Sequence, residues 1–360
     1  MKAETVLPIV AASAFLVVLL VLLRPQCSSK GASIKSQDRE QLARMLKQAT
    51  RTFSAVIASM PSDLNVAFSV LYLCLRGMDT VEDDLTLPLA DKVQYVQAFP
   101  SMVAQGPFIM EGIGTSEEHR NVLKHFDVVG RAFQSLTSAQ QHVILGNLKE
   151  MSQGMVKYLQ HPVVTMDDYH DYCYYVAGTV GIAINKMYLV TGYPLPPMNN
   201  QHRQHCINVG FLLQKANIVR DLCDDTREGR QYWPESLWKP FVPDIRMLLQ
   251  PKHRSHALHC LNVLVQDAMQ HVDPYLEFLQ THLKDVRLFP LHTVAVVSAI
   301  AMLCHCCNNP AVFTDPKVDL GKNTRRSIQE ACTSIAGIQQ FCQECLRTVR
   351  KKSTTSWSDA

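Results

Sequence analysis

Between residues 71 and 84, Tyr72, Arg76, Asp79 and Asp83 recur at spacings of four, three and four, with Glu82 beside them, so a helix would carry all of these along one side. A second stretch repeats the device: Gln214, Asn217, Asp221 and Asp225 follow one another at spacings of three, four and four. A charged stripe on a helix is ordinarily a solvated face. Two stripes of the same make weigh against that reading. Val70, Leu73, Leu75 and Met78 supply an apolar surface opposite the first stripe, and burying it would let the stripe face a cavity instead of bulk water. Asp79, Glu82, Asp83, Asp221 and Asp225 would then form two clusters of hard oxygen ligands. Such clusters suit magnesium, which takes carboxylates and water and often bridges to substrate phosphates. Arg76, Arg220 and Arg230 add fixed positive charge in a planar fork that matches phosphate oxygens.

Magnesium and arginine neutralise the charge that develops on a departing diphosphate, so an allylic carbon–oxygen bond can ionise with no covalent nucleophile. The cation left behind must be sheltered from water, and aromatic faces hold a cation through their quadrupole. Phe53, Phe68, Tyr72, Tyr172, Tyr175, Phe211 and Phe289 lie in otherwise apolar helical stretches, and most of them read as plain core. Tyr175 stands out because Gly178 and Gly181 fall near it on the same helix side and permit close approach.

The elements that must position these residues are helices. From about Asp38 onward apolar residues recur at three-and-four spacing, as in Val66, Val70, Leu73 and Gly77, and strand-type alternation is scarce. Breaks are expected at Met60-Pro61-Ser62-Asp63, Phe99-Pro100, Gly112-Ile113-Gly114, Gly192 to Asn200 and Asp315-Pro316, none of them a domain linker. The chain is therefore read as all-α, with a single domain over 31–360. The 47% hydrophobic content of its 360 residues is ample for one large core. A net charge of +3, without basic blocks interleaved with aromatics, argues against a nucleic-acid partner. Twelve cysteines never form paired CxxC motifs, and Cys304, Cys306 and Cys307 end an apolar run where cysteine serves as a small core residue. Residues 1–30 form a separate unit: Val6 to Leu23 is an uncharged apolar run, about 27 Å long as a helix, without a cleavage site after it. It reads as a retained transmembrane anchor in the lipid bilayer. Arg24, Lys30 and Lys35 outweigh Lys2, which places the bulk of the chain on the cytosolic side.

Over roughly Met45 to Arg347 the chain resembles the squalene/phytoene synthase family. Tyr72-Leu-Cys-Leu-Arg-Gly-Met-Asp-Thr-Val-Glu-Asp-Asp84 is similar to the family's first aspartate-rich motif, and Gln214-Lys-Ala-Asn-Ile-Val-Arg-Asp-Leu-Cys-Asp-Asp225 to the second. Gly229-Arg-Gln-Tyr-Trp-Pro234 resembles the block that follows, Tyr174-Tyr-Val-Ala-Gly-Thr-Val-Gly181 the tyrosine helix, and Thr50-Arg-Thr-Phe53 the phosphate-binding Ser-Arg-Ser-Phe. The resemblance implies an isoprenoid-synthase helical fold in which the acidic helices face each other across a central cavity. It implies that two molecules of farnesyl diphosphate condense head to head to presqualene diphosphate, which is then reduced by NADPH to squalene. Asp79, Asp83, Asp221 and Asp225 carry over as magnesium ligands with Glu82 as their neighbour. Arg51, Thr52, Arg76, Asn217, Arg220 and Arg230 carry over as diphosphate contacts, with Phe53 and Gln214 beside them, and Tyr175 as the proton-transfer or cation-stabilising group alongside Tyr72 and Phe289. Lys322, near the family's basic loop, is the candidate NADPH contact. The implied location is the endoplasmic reticulum membrane.

Two departures bear on the second half-reaction and on anchoring. The family's third signature, with Pro-Gln-Val-Met-Ala, here reads Leu288-Phe-Pro-Leu-His-Thr-Val-Ala-Val-Val-Ser-Ala299, so Ala295 and Val296 stand at the usual proline and glutamine positions and Leu291 at an aromatic one. The family's eukaryotic members usually carry a C-terminal membrane segment, whereas this anchor is N-terminal. An enzyme that stops at presqualene diphosphate, or converts it to another product, is the nearest rival reading. A retired enzyme kept as a membrane-tethered interaction protein would have lost its metal ligands, and the acidic positions are all retained. No Gly-rich strand-turn-helix fingerprint for a Rossmann domain is present, because Gly112-Ile-Gly114 lacks a third glycine.

Overall fold

Helix ends fall at Met60-Pro61 and flank Gly112 to Gly114 and Gly192 to Asn199, where punctuating residues stand. The computed structural model describes residues 34–50, 52–282, 289–315 and 318–355; the apolar run Val6 to Leu23 lies outside them. The first half comprises α1 (Ser36–Ala49), α2 (Thr52–Ala58), α3 (Ser62–Glu82), α4 (Leu89–Gln105), α5 (Glu117–Lys124), α6 (Phe126–Gln134), α7 (Ser138–Gln160) and α8 (Met166–Cys173). A π turn over Tyr174–Gly178 leads directly into α9 (Thr179–Val190). Then come α10 (Asn200–Arg220), α11 (Leu222–Arg227), α12 (Glu235–Trp238), α13 (Arg254–Met269), α14 (Val272–His282), α15 (Phe289–Cys306), α16 (Gly321–Ala331) and α17 (Ile335–Thr355). No strand forms among the described residues, which bears out the all-α reading.

Pro61 precedes α3, where its missing N–H costs nothing. Thr137 with Gln140, and Thr165 with Asp168, close reciprocal capping boxes that start α7 and α8. The expected break at Phe99-Pro100 does not occur, because Pro100 lies inside α4. A proline there deprives the carbonyl four residues earlier of its donor. The Ser152 hydroxyl on α7 donates to that carbonyl, of Val96, at 2.7 Å and replaces the lost bond from a neighbouring helix.

α10 is the pivot of the fold, packed against the π turn, α9, α13, α14 and α15. Its approach to the π turn and α9 is set by glycines. A Cβ at Gly210 would lie 2.3 Å from the Ala177 carbonyl oxygen, and one at Gly181 would lie 2.2 Å from that of Cys206. Gly178 and Gly181 thus serve the contact with α10 instead of making room for Tyr175. Gly210→Ala, which in an exposed helix gains about 1 kcal/mol, is expected here to cost about 1–3 kcal/mol by overpacking backbone on backbone, read as a lowered thermal unfolding midpoint of the detergent-solubilised chain.

α3 is the one helix among the described residues long and apolar enough to cross a bilayer, yet most of it is buried within the protein. Leu64, Ala67, Phe68, Val70, Leu73, Cys74, Met78 and Val81 seat it in the core. The eleven described cysteines are free thiols, and Cys306 and Cys307 are buried as core residues.

Candidate active site

The apolar middle of α3 leads to acids in its last turn, the apolar stretch of α10 leads to Asp221 at its C-terminus and Asp225 on α11, and the two acidic clusters meet. The two helices wall a cavity of about 480 Å³ together with α2, α7, the π turn, α9 and the first turn of α15. Both helices point their C-terminal, partially negative ends at this place, which favours cations there. Tyr72, Arg76, Asp79, Glu82 and Asp83 line it from α3, as the spacing requires. Gln214, Asn217, Arg220, Asp221 and Asp225 line it from α10 and α11, with Arg230 just beyond and Phe53 on α2. Leu71 and Leu75 also line the cavity, so Leu75 belongs to the cavity face and not to the opposite surface of α3.

The arginines are already engaged with the acids. Arg230 lies 2.8 Å from Asp225 and 3.7 Å from Asp83, so it ties the two acidic motifs together, and it also pairs with Glu228. Arg220 clasps Asp221 through Nε at 2.6 Å and a terminal nitrogen at 2.5 Å. Arg76 stands 3.8 Å from Asp79 and 3.4 Å from the Tyr72 hydroxyl, and its Nε is buried without a partner. Asp84, the last acid of the first motif, is structural: its carboxylate accepts from the backbone of Gly114 at 2.5 Å and of Thr86 at 2.7 Å, fixing the loop behind the site.

This countercharge is insufficient. Burial raises Asp79 to about 6 against the pull of Arg76, and raises Asp225 to about 6 against Arg230. Burial and then the charges of Asp83 and Asp79 lift Glu82 well above the ordinary carboxylate range. A set of hard oxygen donors that resists ionisation for want of positive charge fits a divalent cation such as magnesium. Among the described residues no three acidic, histidine or cysteine side chains gather tightly enough to hold an ion unaided, in keeping with a cation that completes its shell with water and substrate phosphate.

A pH dependence follows. In the metal-free fold the raised carboxyls of Asp79 and Asp225 contribute stability below their ordinary value of 3.8, and that contribution is lost as pH rises through about 6. Cation binding runs the other way, because it needs both ionised. The half-saturating magnesium concentration is therefore expected to rise by up to about tenfold per carboxyl for each pH unit below about 6, checked by magnesium titrations of activity between pH 5 and 8.

The tyrosine helix differs from the sequence reading. Tyr175 does not line the cavity; its side chain lies over Gly154 of α7, and its ring packs on Tyr174 at 5.4 Å. The π turn is the cause, since its extra residue rotates the side chains relative to a regular helix. Tyr172 occupies the cavity wall instead, stacked on Tyr232 with centroids 4.9 Å apart and planes at 18°. Burial, reinforced by the Glu82 carboxylate, pushes both phenols well above their ordinary range, so both keep their protons. Tyr232, not singled out from the sequence, stands in the Gly229-to-Pro234 block that carries Arg230. Phe211 does not line the cavity but packs edge-on against His271. Lys322 is exposed at the start of α16 and does not line it either. Arg51 and the side chains of Thr52, Phe289 and Leu291 lie outside the described residues.

Two aspartate motifs meeting at one end of a mostly apolar, aromatic-walled cavity fit an all-helical prenyltransferase. A family model for squalene/phytoene synthase matches residues 46–324. Squalene synthase of Rattus norvegicus is 33% identical over 300 residues, 81% of this chain and 71% of that protein. Squalene synthase of Schizosaccharomyces pombe is 32% identical over 323 residues, 87% of this chain and 68% of that protein. The solved complex of TcSQS with the ligand E5700 superposes with a TM-score of 0.82 at 30% identity, covering 88% of this chain and 92% of that one. The chain belongs to the squalene/phytoene synthase family.

Proposed function

We propose that this enzyme condenses two farnesyl diphosphates head to head into presqualene diphosphate and reduces that intermediate to squalene with NADPH. The observation that carries the reading is the meeting of the two acidic motifs, through Arg230, at one end of a cavity whose remaining wall is mostly apolar and aromatic. Asp79, Asp83, Asp221 and Asp225 would hold magnesium, with Glu82 beside them; when bound it supplies the positive charge that lets a diphosphate depart. Arg76, Arg220 and Arg230 exchange their carboxylate partners for diphosphate oxygens and orient the leaving group. Phe53, Met155, Val176 and Val180 exclude water from the cation. The protonated Tyr172 offers its ring to that cation, and its hydroxyl keeps a proton within reach of the acidic end. NADPH, when bound, supplies hydride; with Lys322 away from the cavity lining, the reductive half rests on the family resemblance. We further infer that Val6 to Leu23 tethers the enzyme to the endoplasmic reticulum membrane with the catalytic domain in the cytosol, where an apolar product passes into the bilayer.

The test incubates the detergent-solubilised chain with farnesyl diphosphate and magnesium, with and without NADPH, and identifies the extracted lipids by mass spectrometry. Squalene that requires NADPH is the expected result. Presqualene diphosphate accumulating despite NADPH would confine the enzyme to condensation, and no product would overturn the reading.

A further inference from the structure

Tyr172 can serve the reaction as more than a ring only if a proton is able to leave it. A phenol holds its proton at neutral pH, so it accepts a second one only by giving up its first in the same step. Tyr232 is placed to receive that proton. The two tyrosines line the same cavity, stack with centroids 4.9 Å apart and share a hydrogen bond between their hydroxyls. Tyr158 packs edge-on against Tyr172 at 5.4 Å, and its own hydroxyl donates to Asp171 at 2.9 Å, so the Tyr172 ring is held by two neighbours. Tyr232 is held from both sides in sequence. The next residue, Trp233, is 1% exposed and donates from its indole to the Ile218 carbonyl of α10 at 3.2 Å. Two residues before it, Arg230 joins Asp225 to Asp83. Tyr232 itself is half-buried, and its phenol lies among the charges of Glu82, Asp83 and Asp225. The pair therefore borders the acidic end of the cavity, where a departing diphosphate would rest.

Resting on the function proposed above, we propose that Tyr232 is a proton relay for the condensation, passing the proton of Tyr172 to the diphosphate that has left. As the second chain bonds to the first carbon of the ionised one, a C–H bond on that carbon breaks, and its electron pair closes the three-membered ring of presqualene diphosphate. The proton released goes to the oxygen of Tyr172, the proton of Tyr172 to the oxygen of Tyr232, and the proton of Tyr232 to an oxygen of the free diphosphate. Both tyrosines end as they began. No oxidant, reductant or further base is consumed, because the leaving group itself takes the proton.

The experiment uses the full chain in detergent with magnesium and farnesyl diphosphate, and follows the formation of presqualene diphosphate by mass spectrometry. Tyr232→Phe keeps the stacked ring and removes only the hydroxyl. It is expected to lower kcat at least about tenfold, while KM and the thermal unfolding midpoint stay at the parent's values. In mixtures of light and heavy water the parent's single-turnover rate is expected to fall along a curve, because two O–H protons move in the same step; with one in flight it falls along a straight line. A variant with the parent's kcat, a loss that appears in KM or in the unfolding midpoint instead, or a straight line for the parent overturns the inference and spares the function it rests on. A parent that never forms presqualene diphosphate removes both.

Discussion

Replacing either Asp79 or Asp221 by alanine is expected to reduce the rate of diphosphate release at least about a thousandfold, or about 4 kcal/mol of transition-state stabilisation. The two residues stand on different motifs, so each variant leaves only one acidic cluster whole. Stability is expected to respond differently. Asp79 is a carboxyl raised to about 6 by burial, so its charge opposes folding at neutral pH, and Asp79→Ala should unfold at the same temperature as the parent or higher. Asp221 is clasped by Arg220, and its loss leaves a half-buried guanidinium in need of another partner. Turnover assays paired with thermal unfolding separate a lost metal ligand from a lost fold. Normal turnover in both variants would remove the case for a metal site here.

The largest expected effect on stability lies behind the site. Lys215, adjacent in sequence to the cavity-lining Gln214, points the other way and has no exposed surface. Its ammonium lies 2.5 Å from Asp267 and 2.9 Å from His271 Nε2, and Asp267 also meets His170 at 2.8 Å. Nδ1 of His271 is in turn 2.8 Å from the Asn208 side chain. Burial and the Lys215 charge push His271 down to about 3, so it is neutral and leaves Asp267 as the countercharge. Asp267→Ala would strand a buried cation, and a loss of about 3–5 kcal/mol is expected, read from urea or thermal unfolding. The double variant Lys215→Met with Asp267→Leu should recover much of it, because an apolar pair of similar volume needs no countercharge. If the single variant unfolds like the parent, the pair is not a structural clamp on α10.

These two sites show what could be read from the amino acids alone. The first acidic stripe was legible because an α-helix repeats every 3.6 residues and α3 runs through it to Glu82; the second was legible although the helix breaks at Asp221, because α11 resumes one residue later and brings Asp225 to the same cavity. Tyr172 was legible as a cavity aromatic only among several, and Tyr175 was preferred over it, because a π turn slips the phase without leaving a hydrophobic signature. Pro100 looked like a helix end because its repair, the Ser152 hydroxyl, comes from a helix more than fifty residues away in sequence. Lys215 gave no sign of burial, since a lysine beside a functional stripe is ordinarily a surface residue and its partner Asp267 lies on a different helix. Local periodicity reports local geometry; partners supplied across the fold do not register in it.

The gathering of both acidic clusters at one end of the cavity would have a consequence for which bond is made. A vessel charged at one end and oily along the rest sorts amphiphiles by direction, as a micelle does. Two prenyl diphosphates entering it would lie side by side in the same sense, headgroups together where Arg230 joins the motifs and tails along Phe68 and Met155. Their first carbons then lie abreast, while the distal double bond of one chain is kept far from the headgroup of the other. On the function proposed above, a chamber charged at a single end would bring the first carbons of its two guests together, as joining at their heads requires.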